Sequence, residues 1–299
     1  MMTNRDDEPM IRRTVMKFSN TILKVVAAFV AVSIIQVLAG AVAGLLLPFP
    51  AGTPHALPHF VAWMLLSNLV TAASLSILAL RSDWRGWTLG AALAAIPLAI
   101  TVINGIEGVI FLPHSPIRWP SIFLQSAITA AISVPVWMLL FGRRPAVPEA
   151  NYHPIAAKSR AERAWKFAVS DLAYLVCYLT AGSIIFPYVK DFYATQSLPS
   201  MSGVFELELL LRGPVFVVLC LLLVRMLGLP RLNGAVMVGL LFTLLGGIAL
   251  VIPNPYFPDA VRWTHFCEVT SSNFVFGAIV AWLWGQPQLP QTQVLRRAA

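Results

Sequence analysis

Eight stretches of the chain, roughly residues 21–47, 59–80, 87–112, 118–141, 166–188, 207–228, 233–252 and 265–284, are continuously apolar and almost free of charge. A bilayer core of ~30 Å needs ~20 apolar residues per crossing helix, so each stretch suits one crossing. None alternates apolar with polar residues, which selects helices over a barrel, since a chain in lipid must pair its backbone groups internally. Composition agrees: 58% of the 299 residues are apolar and 11% are charged, against ~45–50% and ~25% in soluble domains. A water-soluble globule and a disordered chain are both excluded. The three cysteines, Cys177, Cys220 and Cys267, are too sparse for a disulfide scaffold. The first stretch is too long for a signal-peptide core and is read as a retained helix. The predicted fold is an all-α polytopic membrane protein with eight transmembrane helices.

Positive charge sets the expected orientation. With the N-terminus inside, all but four of the 21 basic residues (Arg118, Lys190, Arg212 and Arg262) fall on cytoplasmic segments. The gaps between stretches alternate between poor and rich in Lys and Arg, which supports eight crossings independently of hydropathy. Both termini are then cytoplasmic, in a bacterial inner membrane. The net charge of +8 reads as topology and contact with anionic lipid on the cytoplasmic face. Nucleic-acid binding is not expected, because the basic residues are dispersed over helix ends. Trp84, Trp87, Trp165 and Trp284 are expected near the inner boundary, and Trp119, Tyr188, Tyr193, Tyr256 and Trp263 near the outer one.

The two halves look alike. Ala39-Gly40 before Leu47-Pro48 resembles Ala181-Gly182 before Phe186-Pro187, and Ile117-Arg118-Trp119 resembles Val261-Arg262-Trp263, at offsets near 142 and 144. This predicts two parallel four-helix repeats, 21–142 and 166–285, related by an axis along the membrane normal. A basic linker, 143–165, joins them, and tails 1–20 and 286–299 lie in the cytoplasm. Packing is expected from small residues such as Gly40, Gly44, Gly246 and Gly247, with Pro97, Pro135 and Pro214 bending their spans.

Ionisable groups at membrane depth are costly, ~2.5–3.5 kcal/mol on insertion scales, and are the best pointers to function. Nearly all fall in the outer half: Glu107 near the end of the third span, Glu206, Glu208 and Arg212 at the start of the sixth, and His265 and Glu268 in the eighth. Asn104 and Asn273 lie slightly deeper. Asp171, in the inner half of the fifth span, departs from this bias. Glu208 with Arg212 (i,i+4) and His265 with Glu268 (i,i+3) each share a helical face. The functional reading is a substrate- or proton-binding site of Glu107, Glu208, Arg212, His265 and Glu268, supported by Asn104 and Asn273 and open to the outside. The structural reading is a set of interhelical ion pairs, and it is the one taken for Glu206, Arg118 and Arg262. His55, His59 and His114 are weak candidates for a metal, since Pro58 interrupts the spacing between the first two. No metal site and no cofactor is predicted. Phosphate loops, HExxH and GxSxG are absent from the sequence.

Glu206-Leu-Glu208-Leu-Leu-Leu-Arg212-Gly213 resembles the EExxxR signature of CAAX-type intramembrane proteases, in which adjacent glutamates and later histidines handle a water or a metal. Here Leu207 separates the glutamates, and the seventh span has no His. Ile106-Glu107-Gly108 and the segment from His265 to Gly277 resemble uncharacterised bacterial multi-spanning membrane proteins, which implies no activity. Three functions are therefore carried forward. The first is a small secondary carrier or permease for a small molecule, with a carboxylate-lined site. The second is an intramembrane enzyme acting on a lipid or hydrophobic peptide. The third is a non-catalytic assembly or sensing subunit.

Overall fold

The computed structural model describes residues 8–47, 59–113, 118–142, 159–254 and 257–285, with side chains from residue 19 onward. Among these residues there are helices and no β-strands: α1 (Glu8–Leu46), α2 (Phe60–Arg81), α3 (Gly86–Phe111), α4 (Trp119–Phe141), α5 (Arg160–Tyr193), α6 (Met201–Leu207), a π-helical turn (Glu208–Arg212), α7 (Gly213–Leu227), α8 (Arg231–Gly247) with a 3-10 extension (Ile248–Val251), and α9 (Asp259–Trp284). α6, the π turn and α7 are one continuous helical rod. Eight helices are thus long and apolar enough to cross a membrane, the architecture of a multi-pass membrane protein.

Four helices start earlier than their apolar stretches. α1, α5, α6 and α9 begin at Glu8, Arg160, Met201 and Asp259, where hydropathy begins at about 21, 166, 207 and 265. For α5 and α6 the reason is capping. Ser159 accepts a hydrogen bond from the Glu162 N–H at 3.1 Å, and Ser200 one from the Gly203 N–H at 3.2 Å, so polar first turns are helical although they carry no apolar signal. α7 stops at Gly228, whose φ of 57° is the left-handed conformation that closes a helix C-terminus at little cost only with glycine.

Packing follows one pattern in each half. α1 lies against α2 and α4, and α3 against α4; α5 lies against α7 and α9, and α8 against α9. The halves meet where α2 and α3 face α7 and α8. The central rods are the sixth and seventh spans, each with 56% of its apolar window buried, whereas the fourth span, with 11%, lies at the periphery. One end of the bundle is basic: Arg225 pairs with Asp83 at 3.5 Å and stacks over Trp84, and Arg231 donates to the Gly285 carbonyl. Trp63 and Trp263 meet edge to face at the opposite, distal end.

Trp284 differs from its expected place at an interface. It is 2% exposed, and its indole N–H donates to Ser170 Oγ at 3.0 Å. A buried Trp is tolerated where its N–H finds such a partner, so here it locks α9 onto α5. The helix runs unbroken through Pro97 and Pro135, while Pro214 has a larger consequence at the site below.

α8 and α9 approach closely, backbone against backbone. A Cβ added at Gly277 would stand 3.2 Å from the Gly239 Cα and from the Val238 carbonyl oxygen. Backbone meets backbone there, so no side chain can move aside. Gly277→Leu is expected to lower stability by about 1–3 kcal/mol, the range for overpacking, in SDS-titration unfolding of the purified protein. Wild-type unfolding would show that the two helices do not approach this closely.

Candidate functional site

Arg212 is the centre of a polar cluster drawn from three spans. Its Nη1 donates to Glu107 Oε1 at 2.7 Å and to Glu208 Oε2 at 3.2 Å, and its Nη2 donates to Asn104 Oδ1 at 3.2 Å. Tyr174 donates to Glu208 Oε2 at 3.1 Å, and Tyr178 to Glu107 Oε1 at 3.2 Å. The guanidinium carbon lies 5.3 Å from the ring centres of Tyr178 and Phe216 and 6.0 Å from that of Tyr174, within cation–π range. Glu208 is fully buried, and the Arg212 and Glu107 side chains are 7% and 23% exposed.

Local chemistry explains the geometry. Asn104 and Glu107 are i,i+3 on α3, and Tyr174 and Tyr178 are i,i+4 on α5, so each pair shares a face. Pro214 has no N–H to return to the carbonyl four residues back. The rod absorbs this as a π turn, in which the Gly213 N–H bonds the Glu208 carbonyl five residues back. Such single π turns recur at functional positions. This one lets α7 approach α5 at Gly213, where an added Cβ would strike Asp171 Oδ1 and stand 3.1 Å from the Tyr174 ring.

The remaining predicted residues form a second group nearer the distal end. His265 Nδ1 lies 2.6 Å from Glu268 Oε2, and His265 Nε2 lies 2.9 Å from the Tyr193 hydroxyl. Phe257 and Tyr193 each meet the imidazole edge to face. A hydroxyl, an imidazole and a carboxylate in one chain of hydrogen bonds can pass a proton along it. The five predicted site residues therefore divide: Glu107, Glu208 and Arg212 are joined with Asn104, whereas His265 and Glu268 are joined with Tyr193. The groups stack along one face of α5. Glu268 Oε1 rests beside Gly182, one turn from Tyr178, an axial rise of about 6 Å.

Asn273 is buried against Gly246 of α8 and joins neither group. Glu206 is exposed. Arg262 is structural: it donates to the Leu250 and Val251 carbonyls at 3.0 and 2.7 Å and to Asp259 at 2.8 Å, closing the end of the seventh span. His59 is exposed at the start of α2 with a left-handed φ of 61°; His55 and His114 lie outside the described residues. Among the described residues, no three His, Cys, Asp or Glu side chains converge as metal ligands.

Tyr174, Tyr178, Phe216 and Tyr193 complete these groups and carry no motif. The usable signal was a tyrosine pair four residues apart within an apolar stretch, since a phenol in lipid needs a hydrogen-bond partner. Comparison with protein-family models, with curated proteins and with solved structures returns no match. The chemistry rests on the geometry itself. Two carboxylates share one guanidinium, which leaves one negative charge that a proton or a bound cation can neutralise.

Proposed function

We propose that this protein is a small secondary carrier of the bacterial inner membrane, with cytoplasmic termini and two parallel four-helix repeats. Its cation- or proton-binding site is the Glu107–Arg212–Glu208 cluster. The observation that carries this reading is the Arg212 bridge: a buried guanidinium of the second half holds Glu107 of the first half and Glu208 of its own rod at 2.7 and 3.2 Å. A link across the boundary between halves suits a site that opens alternately to either side. The like halves are supported by their common packing pattern and by one repeated contact. Gly40 meets Gln125 between α1 and α4, and Gly182 meets Glu268 between α5 and α9, within a residue or two of the offset of the sequence likeness. The second half keeps a carboxylate where the first has an amide, which favours one site over two equal ones.

Proteoliposomes containing the purified protein and a lumenal pH dye test this. Under an imposed pH gradient, at least one member of a panel of organic cations should drive saturable proton movement. Absence of such movement across the panel, with turnover of a lipid in detergent instead, would contradict transport.

The Tyr193–His265–Glu268 chain favours a second reading, an intramembrane enzyme in which His265 is the general base and Glu268 orients it. On the carrier reading the chain lies on the proton route. Tyr193→Phe should then slow gradient-driven flux several-fold and leave solute binding unchanged. Loss of lipid turnover in detergent by the same variant would instead support the enzyme.

A further inference from the structure

Arg212 sits in a receptacle shaped for its own head group. Two carboxylates and the Asn104 carbonyl accept from its N–H fork, and Tyr174, Tyr178 and Phe216 present ring faces to it. Any planar cation with several N–H donors would find the same partners, because carboxylates match a guanidinium bidentately and aromatic faces stack on it.

A second observation concerns the basic side of this receptacle. Asp171 Oδ1 is buried and has no hydrogen-bond partner among the described residues, and Arg212 Nε is in the same state. Asp171 Oδ1 lies against Gly213, the residue that follows Arg212. Side chains on a helix lean toward its N-terminus, which for this rod is the distal end. The rest position of Arg212 is therefore the one seen, toward Glu208 and Glu107, with Asp171 left open.

We propose that the Glu107–Glu208 seat accepts a guanidinium-type organic cation, that Arg212 is its tethered place-holder, and that Asp171 receives Arg212 when the cation enters. This rests on the carrier reading and names its substrate class. The exchange keeps each arriving positive charge against a carboxylate, so that neither head group is left unpaired in the bundle, where that would be strongly unfavourable. The π turn and the bare Gly213 bring Asp171 against the residue next to Arg212.

The test is equilibrium dialysis of labelled methylguanidinium against the full-length protein in detergent. The wild type should bind methylguanidinium at least tenfold more tightly than tetramethylammonium, which carries the charge but no N–H donors. Asp171→Asn should weaken methylguanidinium binding about tenfold or more. Arg212→Gln vacates the seat and should tighten binding by at least tenfold, and in that background Asp171→Asn should have no effect. Equal affinity for the two cations, unchanged binding in D171N, or no gain in R212Q would each overturn the proposal. D171N removes no hydrogen bond at the buried oxygen, so it decides the matter even if R212Q does not fold. Should methylguanidinium fail to bind any variant while other cations still drive proton movement in proteoliposomes, the carrier reading stands and this inference alone fails. If no cation drives such movement, the carrier reading itself has failed.

Discussion

Arg212→Ala is expected to be among the most destabilising single substitutions in the chain, by about 3–5 kcal/mol, the usual cost of removing one partner from a buried ion pair. The physical reason is what stays behind. Glu208 is fully buried and would keep only Tyr174 as a donor, and Glu107 only Tyr178. Two carboxylates would then face each other across the space left by the guanidinium, and the three aromatic rings around it would lose their cation. The cost therefore comes from stranded charge more than from lost attraction. This makes a second expectation specific: adding Glu107→Gln and Glu208→Gln to Arg212→Ala should restore a large part of the loss, although it removes still more of the native network. SDS-titration unfolding of the three proteins would check both points. If Arg212→Ala unfolds with the wild type, the pair is not buried. If the added amides do not recover stability, stranded charge is not the cause.

Glu107→Gln should have the largest effect on activity with little effect on stability. The amide keeps an oxygen for the Arg212 Nη1 and for the Tyr178 hydroxyl, so stability is expected to stay within about 1 kcal/mol, the net worth of one ordinary hydrogen bond. It also leaves one carboxylate against one guanidinium, and the surplus negative charge disappears. On the carrier reading the site then has nothing to attract a cation or hold a proton. Cation-driven proton movement in proteoliposomes should fall at least tenfold while Glu206→Gln, on an exposed carboxylate of the same rod, leaves it intact. Full activity in Glu107→Gln would remove Glu107 from the mechanism.

The spans were legible because hydropathy over twenty residues is a strong physical signal, and the polar starts of α1, α5, α6 and α9 escaped it. Pairs within one helix were legible for the same reason: spacing alone puts Glu208 beside Arg212 and His265 beside Glu268. Pairs between helices were not. Lipid offers no hydrophobic contrast by which a sequence declares which face of a span meets which neighbour. Depth grouped Glu107 with both Arg212 and Glu268, and the fold joins it to the first and leaves the second to His265, which Tyr193 holds from its other side. The tyrosines of α5 explain the division. Tyr174 and Tyr178 draw the carboxylates of α3 and the sixth span to one level, while Gly182 leaves room for Glu268 one turn away. Tyr193 reads as an interfacial aromatic in the sequence because its position is that of one, and only the fold turns its hydroxyl onto His265. The buried state of Trp284 escaped for a similar reason: its partner, Ser170, is 114 residues away.

Glu107 of the first half and Arg212 of the second meet as one buried pair, and the proposed site depends on that contact. A double-mutant cycle on the full-length protein, with Glu107→Gln, Arg212→Gln and the two combined, measures this most directly by SDS-titration unfolding. Contacting residues in one network couple by roughly 0.5–3 kcal/mol. Coupling in the upper part of that range is expected, with the double variant more stable than the single effects sum to. Additivity within about 0.5 kcal/mol would mean that the two side chains do not touch, and the shared site would be lost with them.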